Sequence, residues 1–223
     1  MDTKIEPWAE PRKAKKRVRR TRSSVQKIPQ CRTDERKARV RRVVERRQRD
    51  LRLIVANVHD PHNVSAMLRS CDAFGVNAVD LYYTDTKFPN LGKKSSASAK
   101  KWVEQRRHTE PSVLIGGLRS KGYQILSTGF SERAQPLTAW DLTKPTAIML
   151  GNEHRGVDPE LDALVPDQIF IPMMGMVQSL NVSVAAAVIL YEAFRQRDAA
   201  GMYDLPAYDP DEIDAMVEDW CRR

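Results

Sequence analysis

L-I-V-A-N-V-H-D-P-H-N-V-S-A-M-L-R-S-C-D-A-F-G-V-N-A-V-D-L-Y-Y, residues 53–83, carries the first clear architectural signal in the chain. It opens with a continuous apolar run, residues 53–58, of the length of a buried strand. The turn His59-Asp60-Pro61-His62-Asn63 follows. Val64, Met67, Leu68, Cys71 and Phe74 then recur at helical spacing, and Gly75 stops that helix. Residues 78–83 form a second apolar run. Strand, helix and strand within about 30 residues make a βαβ unit, whose two strands run parallel.

The same reading extends in both directions. Downstream, residues 84–101 have no periodicity and carry Lys93, Lys94, Lys100 and Lys101, which predicts a basic loop. Short strands are predicted at 102–107, 123–128, 146–150 and 169–171, with helices at 111–121 and 159–164. The last of these strands, stopped by Pro172, leads through a Met-bearing loop and the polar knot Ser179-Leu180-Asn181-Val182-Ser183 into an Ala-rich helix. Asp209-Pro210-Asp211-Glu212 starts a final helix, whose apolar face is Ile213, Met216, Val217 and Trp220. That face suits packing on the chain's own core or contact with a second subunit. Upstream, Thr33 caps a basic helix in which Val40, Val43, Val44 and Leu51 form a narrow apolar stripe. Residues 1–32 hold too few apolar side chains to fold alone and read as a disordered arm. The expected division is a basic arm (1–32), a basic helix (33–50), an α/β body (51–203) and a C-terminal amphipathic helix (204–223).

Charge is distributed unevenly along the chain. The net charge is +8, but residues 1–52 hold 20 Lys and Arg against 7 Asp and Glu, so the rest is net acidic. A basic appendage of this kind suits a polyanion, with nucleic acid first. Arg41, Arg42, Arg46 and Arg49 on the basic helix, with Lys93 and Lys94 in the loop, are the candidate phosphate contacts. No apolar run approaches the roughly 20 residues that span a bilayer, and no secretory signal is expected. Three widely spaced cysteines, Cys31, Cys71 and Cys221, argue against a disulfide framework and fit a reducing cytoplasm.

In an open parallel sheet, ligands bind beyond the carboxyl ends of the strands. Three loops there, 57–63, 151–156 and 172–183, would bring together Asn63, Arg69, Glu153, Ser179 and Asn181. Spacing alone leaves bland readings open: Asn63, Ser179 and Asn181 serve equally as helix caps, and Arg69 as a solvated surface residue. The chain has no G-x-G-x-x-G, no complete P-loop and no G-x-S-x-G elbow. His59 and His62 lack further spaced ligands, so no metal is expected.

The segments N-V-H-D-P-H-N-V-S-A-M-L-R-S-C-D-A-F-G (57–75), I-M-L-G-N-E-H-R-G-V (148–157) and I-P-M-M-G-M-V-Q-S-L-N-V-S-V-A-A-A-V-I-L-Y-E (171–192) resemble the three motifs of the SpoU (TrmH) ribose 2′-O-methyltransferases of the SPOUT superfamily. Within that family the chain looks most like the enzymes acting on tRNA guanosine 18. The resemblance implies a parallel sheet flanked by helices, a C-terminal trefoil knot and a homodimer. It implies S-adenosylmethionine as methyl donor, held by Thr128, Leu150, Gly151 and Asn152 with Glu153, Ile171, Met173 and Leu180. It makes Asn63, Arg69, Glu153, Ser179 and Asn181 the catalytic positions, with Asn63 and Ser179 orienting Arg69 and the substrate phosphate. Arg69 is the family's candidate base, although a phosphate clamp is easier for a group that stays protonated below a pKa of about 12. The implied substrate is tRNA. A sister enzyme acting on ribosomal RNA, or a non-catalytic RNA-binding protein on the same fold, are the alternatives.

Overall fold

The computed structural model describes residues 33–85, 87–89 and 99–223. The basic arm, Lys93 and Lys94 therefore lie outside the described residues. Seven strands form one sheet: β1 (Gln48–Ala56), β2 (Val76–Tyr82), β3 (Glu104–His108), β4 (Gln124–Thr128), β5 (Ala134–Pro136), β6 (Thr146–Leu150) and β7 (Gln168–Phe170). Their order is β3-β2-β1-β6-β4-β7-β5, and every pairing is parallel. The helices are α1 (Asp34–Glu45), α2 (Pro61–Ala73), α3 (Pro111–Arg119), α4 (Pro159–Leu164), α5 (Val182–Ala199) and α6 (Pro210–Arg222).

The continuous apolar run of β1 follows from burial on both faces. Leu51, Leu53 and Val55 point to one side, where Met67 and Leu68 of α2 and Ile189 and Leu190 of α5 cover them. Ile54 and Ala56 point to the other, toward Leu114, Ile115 and Leu118 of α3 and Leu161 of α4. β1 begins five residues before the predicted start. Its first stretch is polar, yet Gln48 and Arg52 are buried, each with a partner from a distant segment: Gln48 donates to the Met202 carbonyl at 3.2 Å, and Arg52 meets Asp80 at 2.7 Å. Hydrophobic periodicity does not register such residues. β5 was not foreseen either, since three residues ending in proline carry no strand signal. The predicted strand over 102–107 is shifted, a 3₁₀ turn at Ala99–Lys101 preceding β3.

α1 and α6 pack on each other through Val40, Val44, Ile213, Val217 and Trp220. The apolar face of α6 therefore meets its own chain. Trp220 stacks near Trp102, with ring centroids 5.1 Å apart, and the guanidinium of fully buried Arg47 lies 5.0 Å from its ring. Arg41 pairs with Asp214, and Arg49 with Glu212 through two bonds of 2.8 and 3.0 Å. Exposed pairs of this kind contribute about 0–1 kcal/mol, whereas truncating a buried Trp costs roughly 3–5 kcal/mol. The apolar joint holds the two helices; the Arg41 pair links α1 to α6, and the Arg49 pair links β1 to α6.

The last turn of α5 is anchored by Arg197, fully buried, which donates to Asp50 at 2.5 Å, Gln48 at 3.0 Å and the Leu142 and Lys144 carbonyls at 2.9 Å each. Cys71 is free and buried. Among the described residues, no helix is long and apolar enough to cross a membrane.

Candidate functional site

β1 and β6 are neighbours in the sheet, but the chain leaves them toward opposite faces, β1 into α2 and β6 toward α4. A crevice opens at such a divergence, at the carboxyl ends of the strands. The loops after β1, β6 and β7 meet there.

The loop after β1 ends in a cap that was not foreseen. Asp60, not Asn63, caps α2, accepting from the His62 amide at 2.8 Å, and Pro61 occupies the first turn. That leaves the Asn63 side chain free for other work. Its Nδ2 donates to Glu153 Oε1 at 2.8 Å, and its Oδ1 accepts from Asn181 Nδ2 at 3.1 Å. The amides of His59 and Asp60 add bonds to the Glu153 carboxylate at 3.1 and 3.5 Å. Burial pushes the pKa of Glu153 up, but these donors outweigh it, and the carboxyl is held below its ordinary value. Asn181 does two jobs. Its Oδ1 caps α5, accepting from the Ser183 amide at 2.9 Å, while its amide reaches Asn63.

The turn after β6 is equally constrained. Asn152 and Gly156 exchange backbone hydrogen bonds of 2.8 and 2.9 Å. Asn152 Oδ1 accepts from the amides of His154 and Arg155 at 2.9 and 3.2 Å, and its Nδ2 donates to the Asn57 carbonyl at 2.9 Å. A Cβ on Gly151 would lie 2.2 Å from the Gly156 carbonyl carbon, so only glycine lets the two backbones approach this closely.

Beside this network lies a cavity of about 740 Å³, in the range of pockets for nucleoside-sized ligands. Thr128, Leu150, Gly151, Asn152, Glu153, Ile171, Met173 and Leu180, the eight residues expected around a methyl donor, all line it, as do Ser179 and Asn181. Asn63 and Arg69 do not. Arg69 is exposed on α2 and makes no hydrogen bond or ion pair among the described residues, so the bond from Asn63 goes to Glu153 rather than to Arg69. Ser179 is likewise exposed at the rim.

Sequence reasoning missed a second polar group in the wall. Ser131 donates to Gln168 Oε1 at 2.6 Å, Gln168 donates to Asp162 Oδ1 at 2.6 Å, and Arg133 meets Asp162 Oδ2 at 2.8 Å. These residues lie on three separate segments with no motif spacing, and Gln168 reads as an ordinary strand residue. Of the four arginines expected to meet RNA, Arg41 and Arg49 are engaged by α6, while Arg42 and Arg46 are exposed and make no ion pair among the described residues.

Residues 50–191 match the SpoU rRNA Methylase family. The chain is 45% identical over 192 residues to a tRNA (guanosine(18)-2′-O)-methyltransferase of Thermus thermophilus, covering 86% of this chain and 98% of that protein. It is 44% identical over 166 residues to the protein of the same name from Escherichia coli K12, covering 74% and 72%. The crystal structure of the Aquifex aeolicus TrmH/SpoU tRNA modifying enzyme superposes with a TM-score of 0.79 at 39% identity, over 84% of this chain and 95% of that one. With the family matched across most of the α/β body, and relatives this similar over 72% to 98% of their length, the chain belongs to the SpoU methylase family.

Proposed function

We propose that this chain methylates the ribose 2′-oxygen of guanosine 18 in tRNA, with S-adenosylmethionine as donor. The observation that carries the reading is the convergence of three loops, after β4, β6 and β7, on one cavity of about 740 Å³, with the β1 loop hydrogen-bonded to its wall at Glu153. The names of the most similar relatives supply the substrate. The cavity suits the donor. Its wall runs along strand ends, where Gly151 lets the Gly156 backbone approach, with Ile171, Met173 and Leu180 as apolar sides. The donor, when bound, supplies an electrophilic methyl group on a sulfonium sulfur.

The residues divide into two groups under this reading. Glu153, kept ionised by Asn63 and two backbone amides, fixes the turn that walls the donor, and Asn181 ties that turn to the start of α5. Arg69 stands outside this network with its guanidinium free. It clamps the phosphate beside the target ribose and stabilises the oxygen as its proton leaves. Ser179 at the rim completes the phosphate contact. Correct placement of two substrates then supplies much of the rate, and a displacement of about 1 Å costs on the order of a hundredfold.

Four further assignments belong to the same reading. The C-terminal half carries a trefoil knot, supported by β7 entering the sheet between β4 and β5, two strands formed earlier in the chain. The protein is a homodimer, supported by an exposed apolar stripe on α5, Val184, Val188 and Tyr191, beside exposed Met174 and Met176. Residues 1–32 and the exposed Arg42 and Arg46 form an RNA-binding appendage to the catalytic body at 51–203, and the enzyme works in the cytoplasm.

The test is direct. Purified protein, methyl-labelled donor and unmodified tRNA should yield 2′-O-methylguanosine at position 18, located by nuclease mapping. Label in ribosomal RNA instead of tRNA replaces the substrate assignment. Absence of donor binding by calorimetry removes the enzymatic reading.

A further inference from the structure

Asn57 is the last residue before the β1 loop turns, and it is the one non-glycine among the described residues with a positive φ, 48°. It is also buried. A left-handed backbone is costly for most side chains and tolerated best by glycine and asparagine. A buried residue in this conformation persists only where its surroundings hold it there.

Five hydrogen bonds radiate from Asn57 to three different segments. Its amide donates to the Tyr82 carbonyl at 2.9 Å, extending the β1–β2 ladder. Its Oδ1 accepts from the Thr84 amide at 3.0 Å, and its Nδ2 donates to Thr84 Oγ1 at 3.1 Å. The same Nδ2 donates to Asp158 Oδ2 at 2.6 Å. Its carbonyl accepts from Asn152 Nδ2 at 2.9 Å.

Asp158 supplies independent support. It stands at the N-cap position of α4, where an aspartate ordinarily accepts from its own helix, yet it makes no cap hydrogen bond. Its carboxylate turns to Asn57 instead. A short helix has given up its cap to hold a residue on the far side of the crevice.

We propose that Asn57 is a positioning residue for methyl-donor binding. Thr84 and Asp158 hold its left-handed turn. The turn delivers the Asn57 carbonyl to Asn152 and sends the next residues back so that the amides of His59 and Asp60 converge on Glu153. Asn57 thus sets both donor-wall residues of the Gly151–Gly156 turn without lining the cavity itself. The inference rests on the cavity being the donor site, as proposed above.

Asparagine is the residue that meets every requirement. Glycine would accept the φ but leave the Asp158 carboxylate and the Thr84 amide without the Asn57 side chain. Aspartate would accept the φ and keep the bond from the Thr84 amide, but would set a carboxylate against Asp158. Exchanging the two groups, Asn57→Asp with Asp158→Asn, restores an amide–carboxylate bond with donor and acceptor reversed.

The experiment measures donor binding by calorimetry and steady-state kinetics on the full chain, with thermal unfolding to confirm that each variant is folded at the assay temperature. Asn57→Gly and Asn57→Asp are expected to weaken donor affinity and raise donor KM about tenfold, the size expected when a buried hydrogen-bonding group loses its partner, with kcat at saturating donor within about twofold. The exchanged pair is expected to regain most of the affinity. Donor affinity unchanged in Asn57→Gly, or no recovery in the exchanged pair, overturns the proposal. If Asn57→Asp does not fold, Asn57→Gly and the exchanged pair decide. Wild-type protein that binds no donor overturns the donor-site reading itself; wild-type protein that binds, with Asn57 variants that bind equally well, overturns this inference alone.

Discussion

Glu153 is half-buried and yet holds its proton less tightly than a free glutamate, because three donors face it. A carboxylate whose folded pKa is depressed contributes stability above the ordinary Glu value, near 4.3, and loses it as pH falls through the depressed one. Donor binding should therefore hold down to pH 5 and fail only in stronger acid. Removing the nearest donor, Asn63→Ala, should move that acid limb upward, measured as donor affinity against pH. A limb that does not move would mean that the charge on Glu153 is not what the pocket requires. Arg69 is the opposite case, exposed and unengaged among the described residues. Arg69→Ala should lower kcat by at least about a hundredfold, as expected for loss of a transition-state contact, and leave donor affinity within about twofold. A large loss of donor affinity would place Arg69 in the donor site instead.

The arginines of α1 and of its junction with β1 have different fates. Arg41 and Arg49 are bound to Asp214 and Glu212 of α6, while Arg42 and Arg46 face solvent. The identity of the residues does not separate the two groups; the partner helix does. If this element contacts RNA, only the free pair releases counterions on binding. Arg42→Ser with Arg46→Ser should lessen the slope of log K against log salt by about 1.4–1.8. Arg41→Ser should leave it unchanged. Equal effects from both groups would show that α6 lets go of Arg41 when RNA binds. The same helix pair accounts for the amphipathic face of α6, whose Ile213, Val217 and Trp220 are covered by Val40 and Val44 of the same chain. That coverage removes α6 as the source of an unpaired apolar surface.

At the scale of the whole molecule, an exposed apolar stripe lies on α5, where Val184, Val188 and Tyr191 recur at helical spacing. They extend from the loop that carries exposed Met174 and Met176 at 94% and 100% exposure, next to the cavity rim. A monomer rarely presents such a patch to water. Light scattering should give twice the chain mass, and Val188→Asp should halve it and reduce methylation with it. A wild-type monomer that is fully active would remove the homodimer. An isologous contact here would set the two rims beside each other, since a two-fold axis brings the same patch from both copies together.

The parallel α/β class was legible in the sequence, because a strand buried on both faces must be continuously apolar and residues 53–58 are. The boundaries of β6 and α4 were legible for similar reasons: an apolar strand run, and a proline at a helix start. The residues that line the cavity came from the family resemblance of the three motifs; turn and cap spacing alone left them as ordinary loop and cap residues. What the tertiary structure alone decided is how these residues pair. Asn63 bonds to Glu153 because Asp60 took the cap three residues earlier, and no spacing rule chooses between two competent caps. β1 begins in the buried polar residues Gln48 and Arg52, which read as surface until their partners at Met202 and Asp80 are known. Asn57 looks like the end of a strand, and its hold on Asn152, Asp158 and Thr84 exists only once loops 27 to 101 residues away are brought against it. Local pattern determines elements and candidate residues; which buried polar group meets which is fixed by packing, because bringing partners together from distant segments is a condition on the whole fold.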